Sequence, residues 1–181
     1  MTLYAALLGS ALVGTQTRIP MTLKCEDTQF IQTGDYAEVL RFCSWLDGVS
    51  EHAKMDFFGT TPDGRLMPYL YLSKSGSNPK IRGGLGPRQR PLLLVQNGIH
   101  SGEIEGKDAS LIMARSIVFS PNDQPPPLAP LLDKVDVLIV PIFSIDAHER
   151  KSKFNRANQN GPEEMGWRVT NQNFNLNRDY I

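Results

Sequence analysis

The sequence has little of what would assign it to a specialised class of protein. Its 2 cysteines, Cys25 and Cys43, are too far apart for a CxxC redox or zinc motif. Cys43 lies among apolar residues at helical spacing, so we expect a buried, small hydrophobic side chain rather than a disulfide or a reactive thiol. The 19 basic residues are balanced by 19 acidic ones, so no net charge attracts nucleic acid. No apolar run approaches the ~18 residues of a membrane span.

The N-terminal residues have an ambiguous apolar character. They read MTLYAALLGSALVG, which resembles the apolar part of a secretory signal, although no Lys or Arg precedes it and no clear A-x-A site follows. An ordinary N-terminal helix or strand would have the same composition. We expect a signal-like leader over residues 1–20 and one domain over residues 21–181. This division favours a periplasmic or secreted location and leaves a cytoplasmic one open.

Two apolar runs near the middle of the chain determine the predicted fold class. PLLLV at 91–95 and VDVLIV at 135–140 are typical of strands that are covered on both faces of a parallel sheet. Between them, a helix is predicted over 107–119, with an apolar stripe of Ala109, Ile112, Met113 and Ile117. Strand, helix and strand form a right-handed parallel crossover. We therefore predict an α/β fold with a mixed, largely parallel sheet and helices on both faces.

The chain before these runs predicts simpler elements. Apolar spacing and a capping residue indicate a helix over 35–47. Strand-forming residues on either side of Pro62-Asp63-Gly64 indicate a β-hairpin that ends near residue 72. Residues 73–90 combine Gly, Ser, Pro and cations, so we expect a solvated loop there rather than a binding patch.

A histidine and a glutamate follow the first apolar strand at metal-ligand spacing. His100 and Glu103 form an H-x-x-E pair on a turn that leads into a helix, where imidazole and carboxylate can converge on one ion. Zinc accepts such nitrogen and oxygen ligands and, in catalytic sites, keeps one position open for water. The pattern alone is weak, because H-x-x-E occurs by chance in many chains and a lone histidine is more often a hydrogen-bonded surface residue.

A second polar cluster lies near the end of the sequence, in GWRVTNQNFNLNRDY. Its Arg168 and Arg178 carry guanidinium groups, which grip carboxylates in a two-pronged geometry, and Asn177 adds a directional amide. Such groups suit a substrate with a free carboxylate and a carbonyl to polarise. By composition alone, however, ordinary solvated loop residues explain this cluster better.

Several separated motifs together resemble the zinc carboxypeptidase family. They are NGIHSGEIEGKDA, PIFSIDAHER, NQNGPEEMGWR and NLNRDY, and the resemblance runs from about Met55 to the C-terminus. It implies that His100 and Glu103 are two ligands of one zinc ion. It also implies that Arg168 polarises the scissile carbonyl, and that Asn177 and Arg178 hold the terminal carboxylate of a peptide substrate. The implied activity is removal of C-terminal residues from peptides.

The sequence departs from the family pattern at two places. Asn175 stands where the family usually has an aspartate that supports the zinc histidine, so metal binding is expected to be weaker. The family's third zinc ligand, a histidine, and its catalytic glutamate lie beyond the Asn-Arg motif, where this sequence ends at Ile181. Of the 3 histidines, His148 lies in a motif without a ligand role. We therefore expect the N-terminal part of a catalytic domain, with an incomplete carboxypeptidase-like fold.

Two other functions remain open at this point. One is an amidohydrolase or deacylase that acts on N-acyl amino acids and shares the H-x-x-E layout. The other is a catalytically inactive remnant that binds zinc or a carboxylate. An incomplete sheet would also leave an apolar edge exposed, so we expect self-association through that edge.

Overall fold

A mixed sheet organises residues 18–76, 90–122 and 124–178, which are the residues that the computed structural model describes. Four strands build the sheet: Ala53–Thr60 (β1), Leu66–Leu72 (β2), Leu92–Gln96 (β3) and Asp136–Val140 (β4). The α-helices are Lys24–Asp27 (α1), Tyr36–Val49 (α2), Glu105–Val118 (α3) and Ile145–Glu149 (α4). Short 3-10 helices cover Ala129–Asp133 and Leu176–Arg178.

The strand order is β1-β2-β4-β3, which confirms the mixed α/β class. Strands β3 and β4 pair in parallel, with Leu94 beside Leu138, and α3 connects them as the predicted crossover. Strand β2 pairs antiparallel with both β1 and β4, so the described part has less parallel pairing than we expected. The reason is that the second hairpin strand occupies the interior of the sheet. Its residues from Pro68 to Leu72 are buried on both faces.

The helices and one face of the sheet enclose the main hydrophobic core. This core contains Phe42 and Leu46 of α2, Leu111 of α3, and Leu70 and Ile139 of the sheet. The second cluster lies on the opposite face and contains only strand and loop residues in the described part: Tyr69, Tyr71, Leu138 and Val140, with Phe58, Leu92 and Phe143 against them. The expected helices on both faces are therefore not found among the described residues, because their helices pack on a single face.

The two cysteines behave as hydrophobic residues. Cys25 and Cys43 are both buried and unpaired, and they belong to the same core. Burial raises the pKa of the Cys43 thiol to about 12, and burial together with nearby carboxylates, of which Asp108 is the foremost, raises that of Cys25 to about 11. Both side chains are thus protonated at neutral pH, as expected of structural cysteines.

The buried face of α3 differs from the one that apolar spacing predicts. Ala109, which we placed on the apolar stripe, is exposed, whereas the charged pair Lys107 and Asp108 is buried. The Lys107 ammonium donates a 2.8 Å hydrogen bond to the carbonyl of Gly34, and Asp108 accepts one of 2.9 Å from Thr33. The first turns of α3 are therefore held by long-range polar contacts that helical periodicity does not reveal.

Two sequence expectations fall largely outside the described residues. They are the signal-like leader, of which residues 1–17 are outside, and the basic loop, of which residues 77–89 are outside. Among the helices that the structure describes, none combines the length and the apolar character that a membrane crossing requires.

We predict that two leucines of strand β2 differ strongly in their contribution to stability. Leu70 is fully buried, so Leu70→Ala should lower the free energy of unfolding by about 2 to 5 kcal/mol. Leu66 is 46% exposed, and Leu66→Ala should change it by less than about 0.5 kcal/mol. Urea denaturation followed by circular dichroism measures both. Equal effects of the two substitutions would contradict the burial of Leu70.

Candidate functional site

The turn after β3 carries the predicted histidine and glutamate to the edge of the sheet. The Asn97 amide donates a 2.9 Å hydrogen bond to the carbonyl of Val140, the last residue of β4, and the Phe143 amide donates one of 2.8 Å to Asn97. Gly98 has a φ of +65°, a conformation that favours glycine. These contacts fix the turn beyond the carboxyl ends of the parallel strands, where open α/β sheets bind their ligands.

His100 and Glu103 face each other across one turn of backbone. The Glu103 amide donates a 2.9 Å hydrogen bond to the carbonyl of His100. This turn brings Nδ1 of His100 to 3.1 Å from Oε1 of Glu103. The histidine is buried, with 7% of its surface exposed, whereas the Glu103 side chain is about half exposed at 46%. The spacing of the motif therefore produces the expected convergence of imidazole and carboxylate.

Asn175 contacts the other side of the imidazole. Its Oδ1 lies 3.0 Å from Nε2 of His100, and the backbone amide of Asn177 donates to the same Oδ1 at 3.2 Å. A backbone amide can only donate, so the Asn175 oxygen is the atom turned toward His100. In the tautomer that donates to Asn175, Nε2 carries the proton and Nδ1 presents its lone pair to Glu103. Two lone-pair donors that face each other at this distance suit a shared cation.

A cavity of about 290 Å³ opens at this pair of side chains. Its lining combines His100 and Glu103 with Asn177 and with residues from the end of β3 and the start of α3: Gln96, Asn97, Gly98, Ile99, Glu105 and Gly106. The fold thus brings together four of the predicted site residues, because Asn175 lies directly behind His100.

The two arginines predicted for the site lie at its periphery. Arg178 is exposed at the end of the last 3-10 helix and donates a 2.9 Å hydrogen bond to the carbonyl of Asn177. Arg168 is exposed too, in the loop after Trp167, whose amide donates to the carbonyl of Ala147 at 2.8 Å. Neither guanidinium contacts His100 or Glu103 in the described structure, and neither lines the cavity.

A third arginine, which the sequence analysis missed, does contact the site. Nη2 of Arg156 donates a 2.9 Å hydrogen bond to Oε1 of Glu103. Burial raises the pKa of Glu103, but Arg156 and His100 outweigh it and hold that pKa below its usual value. Glu103 is therefore a carboxylate at neutral pH. The sequence indicated this contact only indirectly, through Gly102, which leaves space beside the turn that carries His100 and Glu103.

The described residues do not form a complete metal site. No group of three or more His, Cys, Asp or Glu side chains is arranged to hold a metal ion there. His148 lies in α4, is 2% exposed, and places Nδ1 at 2.8 Å from Oε1 of Glu149. It does not line the cavity of His100 and Glu103.

Comparison with known proteins gives a consistent result. The family model described as zinc carboxypeptidase matches residues 43–181. The chain resembles a metallo-carboxypeptidase from Burkholderia cenocepacia with a TM-score of 0.56 and 17% identity, over 80% of this chain and 32% of that one. It resembles carboxypeptidase A from Helicoverpa armigera with a TM-score of 0.54 and 18% identity, over 78% of this chain and 29% of that one. No curated protein sequence is matched.

The structural matches at these identities show the fold alone. They also show that this chain spans only about a third of the length of the two solved structures, 32% and 29% respectively.

We predict that Asn175 determines which nitrogen of His100 is protonated. In the metal-free chain, Asn175 and the Glu103 carboxylate both offer an acceptor to the imidazole, and nitrogen-15 NMR should show that Asn175→Leu lowers the population of His100 with a proton on Nε2, because the acceptor on that side is lost. The chain has only 3 histidines, so assignment is simple. Asn171→Leu is the matched control, since Asn171 is half-buried and its side chain bonds to Asp63 and Arg150 instead. An equal population of the Nε2–H form in Asn175→Leu and in the unmodified chain would contradict the prediction.

Proposed function

The chain belongs to the zinc carboxypeptidase family, and from this premise we propose that the protein removes C-terminal residues from peptides at a zinc ion bound by His100 and Glu103. One observation carries the proposal. Nδ1 of His100 and Oε1 of Glu103 lie 3.1 Å apart and face each other, while Asn175 engages the opposite nitrogen of the imidazole.

The donor atoms fit one zinc ion. Zinc binds histidine nitrogen and carboxylate oxygen at about 2.0 to 2.2 Å, so two such ligands at a tetrahedral angle lie roughly 3.4 Å apart. The observed 3.1 Å needs only a small opening of the pair. When bound, zinc lowers the pKa of a coordinated water toward neutrality and polarises a substrate carbonyl.

The substrate would be oriented by its terminal carboxylate. Asn177 lines the cavity, and Arg178 follows it in the same 3-10 helix. This helix comes directly after Asn175, which contacts His100. We assign this pair to the carboxylate of the substrate, where guanidinium geometry gives two-pronged recognition. We assign Arg168 to the developing negative charge on the scissile carbonyl oxygen. Its exposed guanidinium has no hydrogen bond to another described residue and is available to a ligand.

Two ligands are too few for a catalytic zinc, which takes three from protein. We propose that the third ligand and the general base come from outside the described residues. In support, the chain spans only 32% and 29% of the two solved structures it resembles. The bond cleaved is then the C-terminal amide, with the base moving the proton of the attacking water to the leaving amine.

Three sequence expectations remain proposals. The first two are the leader over residues 1–20, ahead of a domain over 21–181, and the secreted or periplasmic location that this leader favours. N-terminal sequencing of exported protein tests both, since export without cleavage would rule out the leader. Self-association is supported by the sheet edge at β3, where Leu93 and Leu94 are 48% and 55% exposed. A monomer in light scattering would argue against it.

We predict chelator-sensitive hydrolysis that depends on His100. The 181-residue chain and, where its gene encodes residues beyond Ile181, the longer product should be assayed on peptides with a free C-terminus and on N-acyl amino acids. His100→Ala should weaken zinc binding by more than the roughly ten- to a hundredfold that outer partners of a ligand contribute. His52→Ala is the control, because His52 lies in the turn before β1 and does not line the cavity.

The outcomes separate the competing functions. Faster turnover of the N-acyl amino acid would favour a deacylase. Zinc binding without turnover of either substrate by the longer product would favour an inactive remnant, and absence of zinc binding in both proteins would exclude the proposal.

A further inference from the structure

Arg156 and His100 approach the same oxygen of Glu103. Nη2 of Arg156 lies 2.9 Å from Oε1, and Nδ1 of His100 lies 3.1 Å from it. The Arg156 side chain is buried, with 9% exposed, whereas that of Glu103 is 46% exposed. An exposed carboxylate at the end of a flexible side chain would ordinarily sample orientations toward water. The buried guanidinium restricts this carboxylate to the orientation that faces His100.

The path of Arg156 to Glu103 depends on the glycine inside the ligand motif. A Cβ at Gly102 would lie 2.7 Å from Cγ and 3.3 Å from Cδ of Arg156, closer than side chains tolerate. Gly102 therefore lacks a side chain where the stem of Arg156 crosses the turn between His100 and Glu103. Glycine at this position permits the close approach of a neighbouring chain segment.

The backbone that presents Arg156 is held by its own contacts. Ser152 and Met165 form an antiparallel bridge on either side of it, with a 3.1 Å hydrogen bond from the Ser152 amide to the Met165 carbonyl. The side chain of Asn155 closes the same loop by donating to the Met165 carbonyl at 2.8 Å. Arg156 thus extends from a fixed loop, as a residue that orients another must.

A purely structural role explains Arg156 poorly. Its second terminal nitrogen, Nη1, is buried and has no hydrogen-bond partner within the described structure. A buried donor without a partner is destabilising, and a buried ion pair often contributes less than well-packed apolar side chains would. The burial of Arg156 is better explained by its effect on the orientation of the Glu103 carboxylate.

We propose that Arg156 is a positioning residue of the metal site, which keeps the Glu103 carboxylate turned toward Nδ1 of His100 before a divalent cation binds. This inference rests on the proposed zinc site. The guanidinium also repels a bound cation, but the half-exposed position of Glu103 lets water screen that repulsion. Loss of a partner that orients a ligand typically weakens metal affinity by about ten- to a hundredfold, so the orienting effect should dominate.

The test measures zinc affinity rather than activity. The metal-stripped chain, and the longer product where the gene encodes one, is titrated with zinc in competition with a chromophoric chelator. Arg156→Met keeps the length of the stem but removes the charge and the donors, and it should raise the dissociation constant for zinc about tenfold or more. Arg156→Lys keeps a donor and should recover part of the loss. Unchanged or tighter binding by the Met variant overturns the proposal.

Two further variants guard against a simple folding defect. Arg150→Met is the matched control, because Arg150 stacks over Trp167 at 5.7 Å in the same segment without touching Glu103, and its zinc affinity should be unchanged. Gly102→Ala should displace the Arg156 stem and weaken binding in a similar way. The double variant Gly102→Ala, Arg156→Met should bind no more weakly than Arg156→Met alone. Fully additive losses would show that the two positions act separately and would overturn the proposal.

The outcomes also distinguish this inference from the proposed function. If the unmodified chain and the longer product both fail to bind zinc, both proposals fall together. If either binds zinc and Arg156→Met binds it equally well, only the role of Arg156 is rejected. Thermal melting without metal should show that all variants are folded. If Arg156→Met is not folded, the zinc affinities of the single variants Arg156→Lys and Gly102→Ala provide the test.

Discussion

The hydrogen bond between His100 and Asn175 is the contact on which the chemistry of the site depends. It joins residues that are 75 positions apart and connects the turn after β3 with the last 3-10 helix. Because the Asn175 oxygen also accepts the Asn177 amide, its orientation is determined, and it favours a proton on Nε2 of the imidazole. Without this bond, the nitrogen that faces Glu103 could carry the proton and would then be unable to bind a metal ion.

The same contact limits the electrostatic strength of the site. An aspartate at this position would add a negative charge behind the imidazole, whereas Asn175 supplies only a dipole. The remaining charge is that of Glu103, and Arg156 offsets it at 2.9 Å. The described residues therefore orient their ligands well but attract a dication weakly. At the proposed site, retention of a zinc ion would depend correspondingly more on a third ligand.

The elements of the fold were predictable where a local pattern matched the final packing. Strands β3 and β4 and helix α3 followed from two apolar runs with a helical pattern between them. Only β4 is buried along its whole length, as expected of a strand covered on both faces. The same expectation was wrong for β3, because it lies at the edge of the described sheet and exposes Leu93 and Leu94. The insertion of β2 between β1 and β4 was not predictable, since a hairpin pattern does not show which partner its second strand meets. The buried face of α3 was predicted wrongly for a similar reason. Lys107 is buried and Ala109 is exposed, because the Lys107 ammonium bonds to the carbonyl of the distant Gly34, a contact that helical spacing does not reveal.

In the site, too, the features set by neighbouring residues were predictable, whereas those set by distant residues were not. The spacing of His100 and Glu103 places their donor atoms together on a single turn, so their convergence was predictable from the sequence. Asn175, 75 positions from His100, favours the proton on one nitrogen of the imidazole. Arg156, 53 positions from Glu103, orients the carboxylate. Asn175 was identified only because the resemblance to a family directed attention to it. Arg156 had no such guide, since its contact depends on a loop that no periodic pattern describes. The motif therefore predicts that His100 and Glu103 lie together, and the tertiary structure determines how their donor atoms are oriented.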